Sequence, residues 1–338
     1  MSEIKHILVI RLSSMGDVAM AVPVLLAFAQ SNPKVKLTVL TKQQFAPLFR
    51  DVKTATVILA DFETQHKGLR GLYQLSQTIK KLQIDAVADL HNVLRTQILK
   101  LFLFDLDFAQ IDKGRSDKKA LTAGKHFKAL RSTPERYADV FRSLGFNFKL
   151  DNPSFLAPKK HSSSTLNTLG NFASAVIGIA PFAAYTSKAY PILKMEQVIS
   201  TLQKEHKILL FGGGAVETNQ LSKLASNYDN VFCVAGKFNL EQELDVISNL
   251  KVMLSMDSSN GHMAAMLGVK VVTLWGVTHP FAGFAPFNQP ATNSLVANRS
   301  EYPKIPTSVY GNKFPKGYEL AIQTISVDAV IKTVKNNL

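Results

Sequence analysis

Residues 251–276 read KVMLSMDSSNGHMAAMLGVKVVTLWG, and this stretch decides the fold. An apolar run ends at Asp257. Small polar residues follow (Ser258, Ser259, Asn260, Gly261), then His262, MAAML, Gly268 and a second apolar run from Val269 to Trp275. The spacing predicts strand, tight turn, short helix and strand, a βαβ unit with an acid at the carboxyl end of its first strand. Ligands of open parallel sheets bind at that edge. The first N–H groups of a helix lack partners within it and lie at the positive end of its dipole, which suits a phosphate. A serine-capped helix with Asp257 favourably near its N-terminus fits the same residues. Spacing alone does not separate the two.

The same alternation extends outward. Strands are predicted at AVIGIAPF (175–182), KILLFGGG (207–214) and NVFCVAG (230–236), with helices over 194–204, 217–227 and 240–249. Residues 283–317 are irregular and rich in Pro and Asn, and SVDAVIKTVKNNL closes the chain as a capped helix. The first half repeats the pattern. HILVIR (6–11) is a continuous apolar strand of the kind buried on both faces of a parallel sheet. Further strands are KLTVL (36–40), ATVILA (55–60) and DAVADL (85–90). Pro23 suits only a first turn, so the helix after the first strand is predicted to start near Ala21 or to kink there. RSTPERYADVFRSL (131–144) predicts a helix with Thr133 as N-cap, Pro134 first and Gly145 closing it. Pro153, Pro158 and three consecutive serines place a domain boundary between 151 and 170. The expected organisation is therefore α/β, with doubly wound parallel domains over 1–160 and 161–338 and a ligand cleft between them.

Composition agrees with two domains, because single cores stop growing near about 300 residues and this chain has 338. A hydrophobic fraction of 46% with 19% charged residues is that of a soluble globular protein. The single cysteine, Cys233, excludes an internal disulfide, and its setting in VFCVA reads as a buried structural thiol. There is no membrane-length apolar run, and the first residues do not read as a signal peptide, so a cytoplasmic location is expected. Scattered histidines and no Cys/His cluster predict no protein-bound metal. Net charge is +14, with 25 Lys and Arg against 14 Asp and Glu in 1–160, and 14 against 11 in 161–338. Nine basic residues fall within 113–142. That imbalance predicts an anionic partner for the N-terminal half, or else a solvated basic face. Without a recognition motif, nucleic acid is excluded as that partner.

Four loops at strand ends carry the candidate chemistry. In Ser13-Ser14-Met15-Gly16-Asp17, a carboxylate beside a glycine can approach a bulky substrate as a general base, and Asp17 can equally be a helix cap. Thr186, Ser187 and Lys188 offer two hydroxyls and an ammonium to a diphosphate; a solvated loop lysine is the alternative. Gly212-Gly213-Gly214 with Glu217 lacks the order of a dinucleotide fingerprint, yet allows backbone approach to a nucleotide, with Glu217 on ribose hydroxyls. The fourth loop is the Asp257 turn. His91, at the end of a strand, is a candidate lining residue.

Together these loops resemble glycosyltransferase family 9, the heptosyltransferases of lipopolysaccharide core assembly. ILVIRLSSMGDVAMAVPVL, APFAAYTSKAYP, LLFGGGAVE and MDSSNGHMAAMLGVKVVTLWGVTHP are similar to the family's motifs, in the family's order, from about residue 4 to 287. The resemblance implies a GT-B fold of two Rossmann-like domains, the acceptor on the first and the nucleotide-sugar on the second. It implies inverting transfer without metal or other cofactor. It makes Asp17 the base, sets Lys188 with Thr186 and Ser187 on the leaving diphosphate, and Asp257 on the donor sugar. Ser258 and Ser259 amides would meet the phosphates, His262 would brace that site, and Glu217 would hold the ribose. The implied partners are ADP-heptose and an anionic glycolipid acceptor, reached by peripheral contact with a membrane. Ser258-Ser259 departs from the family's Thr-Gly after the aspartate. Two other readings fit the same architecture, a sugar-nucleotide epimerase and a non-catalytic nucleotide-sugar or glycan binder.

Overall fold

The computed structural model describes residues 4–151, 153, 155, 158–159, 169 and 175–338. The chain forms two compact units, Met1–Lys113 with Thr133–Ser154, and Gly114–Ser132 with Phe155–Leu338. The expected boundary between 160 and 161 lies outside the described residues.

The first unit is a five-stranded parallel sheet of β1 (His6–Ile10), β2 (Lys36–Thr41), β3 (Ala55–Leu59), β4 (Ala86–Asp89) and β5 (Asp107–Gln110), in the order β3-β2-β1-β4-β5. Every residue of β1 is buried, which is why HILVI carries no alternation. One face of the sheet packs Leu8, Ile10, Leu40 and Val87 against Leu72, Leu75, Ile79 and Leu99 of the helices Gly68–Lys80 and Leu94–Phe102. The helix after β1 spans Met15–Ser31 and carries Pro23 in its interior, which corrects the expected later start. Eleven of its residues are buried, and Phe28 meets Phe141 of the helix Thr133–Ser143 at 4.6 Å. Burying each large side chain contributes about 1.5–3 kcal/mol. Together these outweigh the roughly 3 kcal/mol that an interior proline costs.

The second unit is a six-stranded parallel sheet of β6 (Val176–Ala180), β7 (Lys207–Leu210), β8 (Val231–Cys233), β9 (Val252–Met256), β10 (Lys270–Trp275) and β11 (Ser294–Val296), in the order β11-β10-β9-β6-β7-β8. The quoted stretch is the predicted βαβ unit: β9, the helix Ser259–Met266 and β10, paired in parallel from Val252–Lys270 to Met256–Leu274. Gly261 allows that helix to sit close, since a Cβ there would lie 2.5 Å from Ser255 Oγ. Cys233 is buried. Among the described residues, no helix is long and apolar enough to cross a membrane.

The basic stretch 113–142 is not one surface. Arg136 is buried and donates to Asp112, and Arg142 bridges Glu135 and Asp139. Arg115, Lys118, Lys119, Lys125, Lys128 and Arg131 belong to the second unit, where Lys118 lies 4.1 Å over Phe284 and Leu130 N–H bonds Phe281 O. By unit, Lys and Arg outnumber Asp and Glu by 17 to 13 in the first and by 22 to 12 in the second. The larger excess therefore lies opposite to the linear reading, because charge density along a chain does not follow how the chain is partitioned in space.

Candidate active site

In each sheet the chain reverses its direction of strand addition at one point, and ligands bind open α/β sheets outside the carboxyl ends of the strands there. In the first sheet that point lies between β1 and β4, in the second between β6 and β9. The candidate residues other than Gly213 and Glu217 cluster at these two points.

After β1, Ser14 caps the helix and Asp17 occupies its first turn. The Asp17 carboxylate accepts the Ser14 hydroxyl at 2.8 Å and pairs with Arg11 at 2.8 Å through the same oxygen, Oδ2. Arg11 is itself fixed. It is 5% exposed, donates to Leu90 O at 2.6 Å and lies 5.5 Å from the Tyr137 ring centroid. Tyr137, fully buried and with its hydroxyl pKa raised by that burial, donates to the Asp17 backbone carbonyl at 3.2 Å. Gly16 is buried in the same helical turn. From β4, Asp89 accepts the backbone N–H groups of His91 and Asn92 at 2.9 Å, which sets the loop. His91 Nε2 comes within 3.4 Å of Ser13 Oγ. Burial, then Arg11 and Lys113, push the His91 pKa down to about 4.

In the second unit, Thr186–Lys188 form a short 3-10 turn after β6. Lys188 Nζ lies 3.0 Å from Asp257 Oδ2, at the end of β9. Thr278, just beyond β10, donates to the same oxygen at 3.0 Å. Both partners of the ion pair are about nine-tenths buried. The turn is braced from behind: Ser187 is fully buried and donates its hydroxyl to Gly311 O, while a Cβ at Gly311 would overlap the Lys188 side chain. Thr186 stays exposed. Ser258 is the N-cap of the helix Ser259–Met266, and His262 is buried on that helix.

The glycine-rich loop sits after β7. Glu217 Oε2 accepts the Gly213 N–H at 2.8 Å, a local closure of the start of the helix Gly214–Ala225. Gly214, at φ +73°, is the position whose backbone demands glycine; Gly213 has open space at its Cβ position.

The structure thus brings together Asp17 with Gly16, and Lys188 with Asp257, Ser187 and the Ser258–Ser259 helix start. Glu217 and Gly213 form their own turn. Arg11 and Thr278 were not singled out by sequence. Arg11 had a signal, as an arginine ending an all-apolar strand six residues before an acid. Thr278 lies in the quoted family-like stretch ending GVTHP, but its 21-residue distance from Asp257 hid their contact. Among the described residues no group of three or more His, Cys, Asp or Glu is placed to hold a metal ion. A separate cavity of about 910 Å³ in the first unit, lined by Asn32, Lys34, Asp107 and Arg142, opens at the amino ends of the strands, away from Asp17.

The model of glycosyltransferase family 9 (heptosyltransferase) matches residues 72–316, well over half of the sequence. The chain belongs to this family. It is therefore a glycosyltransferase, and membership sets aside both the epimerase and the non-catalytic readings. The family 9 chain is 23% identical over 293 residues to the lipopolysaccharide core heptosyltransferase OpsX of Haemophilus influenzae, covering 84% of this chain and 82% of that one. In fold it is similar to a family 9 glycosyl transferase from Veillonella parvula, with TM-score 0.77, 19% identity and coverage of 98% and 97%. It is also similar to E. coli heptosyltransferase WaaC with ADP, with TM-score 0.70, 20% identity and coverage of 98% and 100%. The family 9 chain accordingly has the GT-B type of α/β fold with two Rossmann-like units.

Proposed function

We propose that the chain is an inverting, metal-independent heptosyltransferase that transfers heptose from ADP-heptose to an anionic glycolipid of the lipopolysaccharide-core type. It would act in the cytoplasm, in peripheral contact with a membrane. The observation that carries this reading is Asp17, held at the carboxyl end of β1 by Arg11 and Ser14, each at 2.8 Å. A carboxylate fixed this way can take the acceptor hydroxyl proton as that oxygen attacks the anomeric carbon. The anomeric C–O bond to the diphosphate breaks, and its electron pair leaves on the phosphate oxygen. Lys188 and the N–H groups at Ser258 and Ser259 then meet the growing charge. A protein cation in that place takes the role that a divalent metal fills in other transferases.

Asp257 has two tasks in this reading. It holds Lys188 in position before the donor arrives, and it contacts the donor sugar afterwards. Thr186 adds a hydroxyl to the diphosphate, Ser187 fixes the turn, His262 braces the helix start, and Gly213 with Glu217 accommodates the nucleoside ribose. The test is calorimetry with ADP, UDP, GDP and CMP, followed by transfer assays with ADP-heptose in the presence of EDTA. Selective ADP binding and EDTA-insensitive release of ADP are expected. Loss of transfer in EDTA would overturn the metal-independent mechanism, and preference for another nucleotide would overturn the donor assignment.

A further inference from the structure

We infer that the outward face of the helices Gly68–Lys80 and Leu94–Phe102 is a docking surface for an anionic lipid bilayer. A surface helix of a globular unit ordinarily carries one apolar stripe, turned to the core. Here the stripes turned to the core are Leu72, Leu75 and Ile79 on the first helix, and Thr96 and Leu99 on the second. Apolar residues recur on the other side. Leu69 and Tyr73, four residues apart, are 65% and 52% exposed. Leu94 and Leu101, seven apart, are 79% and 72% exposed, and Phe104 just beyond them is 82% exposed. Core packing explains none of these.

Contacts between the two helices join part of this face. The Tyr73 ring meets Phe102 edge-on at 5.6 Å, and Lys80, about two helical turns from Tyr73, lies 5.4 Å over Phe104 and 3.2 Å from Asp105. Cations dominate the charge around it, with Asp105 paired to Lys80. Residues 64–84 and 90–104 contain Lys67, Arg70, Lys80, Lys81, Arg95 and Lys100 and no Asp or Glu. Large apolar and aromatic side chains interspersed with long cations match the headgroup boundary, where the rings and leucines enter and the ammonium and guanidinium groups stay with the phosphates. Each cation near such a surface strengthens partitioning about fivefold. A second copy of this chain fits worse, because a twofold contact would set a surface whose cations outnumber its acids against itself.

The inference rests on the proposed glycolipid acceptor, since a lipid-anchored substrate requires the enzyme at the bilayer. It is tested by sedimenting the full chain with vesicles of phosphatidylcholine alone and of phosphatidylcholine mixed with phosphatidylglycerol. Binding to the mixed vesicles, weakened by salt, is expected. The Leu101→Glu/Phe104→Glu variant should lose that binding tenfold or more, and Arg70→Gln/Lys81→Gln about 25-fold, both with unchanged circular dichroism. Failure of the parent to bind mixed vesicles at low salt, or binding by both variants as tight as the parent's, overturns the proposal. So does light scattering that shows a lipid-free dimer which the glutamate pair makes monomeric. ADP affinity, measured on the same samples, should be unchanged in both variants. Its absence from the parent would count against the proposed donor and leave the vesicle result standing.

Discussion

Lys188 and Asp257 are bonded to each other, Nζ to Oδ2 at 3.0 Å, from the two strands that flank the switch point of the second sheet. With both side chains about nine-tenths buried, removal of one charge strands the other. Lys188→Ala should therefore lower stability by about 3 kcal/mol as well as weaken ADP binding. The double variant Lys188→Met/Asp257→Leu separates the two effects. Apolar replacement of both partners should restore much of the stability, while ADP affinity stays lost. Denaturant melts and calorimetry on the three proteins decide it. Recovery of ADP binding in the double variant would remove Lys188 from the donor site.

Asp17→Asn should leave ADP binding intact and cut turnover by a factor on the order of 100 or more, the usual worth of a positioned base. Arg11→Met should also lower kcat with little change in ADP affinity, since the guanidinium touches Asp17 and Leu90 O within the first unit. Steady-state rates at saturating donor measure both. Near-parental turnover in Asp17→Asn would assign the proton transfer elsewhere.

The central strands were legible because they are buried on both faces, so HILVI appears as an unbroken apolar run and VMLSM as one interrupted only by Ser255. The Asp257 turn was legible for the same reason, as the place where such a run stops. What makes these residues a site was not. Lys188 meets Asp257 only because β6 lies beside β9, a neighbour relation between strands far apart in sequence. The segment Gly114–Ser132 joins the second unit through contacts such as Lys118 over Phe284, which a charge count along the chain cannot register. Pro23 misled the helix start because burial of the whole helix outweighed a local preference.

Gly276 should not tolerate a side chain. A Cβ there would overlap the Ser187 carbonyl oxygen and press on Ile322, so the turn carrying Lys188 would have to move. Gly276→Ala is expected to cost about 1–3 kcal/mol, the range for overpacking a tight interior, and to weaken ADP binding with it. Gly213→Ala, with nothing within 4 Å of its Cβ, should leave stability near that of the parent. Equal melting temperatures for the two variants would show that the turn adjusts freely.

Acid should destabilise the fold between about pH 6.5 and pH 4 through two histidines. Burial holds His91 down to about 4, with Arg11 and Lys113 adding to it, and burial with Arg299 does the same to His279. Both stay neutral in the folded chain where the unfolded chain takes up protons, so protonation favours unfolding as the pH falls through that window. Glu243 acts with the opposite sign. Burial raises its pKa from 4.5 to about 7, so its contribution is complete below pH 4.5 and is lost as the pH rises towards 7. Each variant should therefore change the pH dependence in a known direction. His91→Gln/His279→Gln should flatten the loss of melting temperature on acidification from pH 7 to pH 4. Glu243→Gln, by removing an opposing term whose sign favours the protonated fold, should leave the chain without that acid-side gain and steepen the loss. Thermal melts across this range test both, and a histidine pair whose removal leaves the slope unchanged would mean that the two side chains titrate alike in folded and unfolded chains.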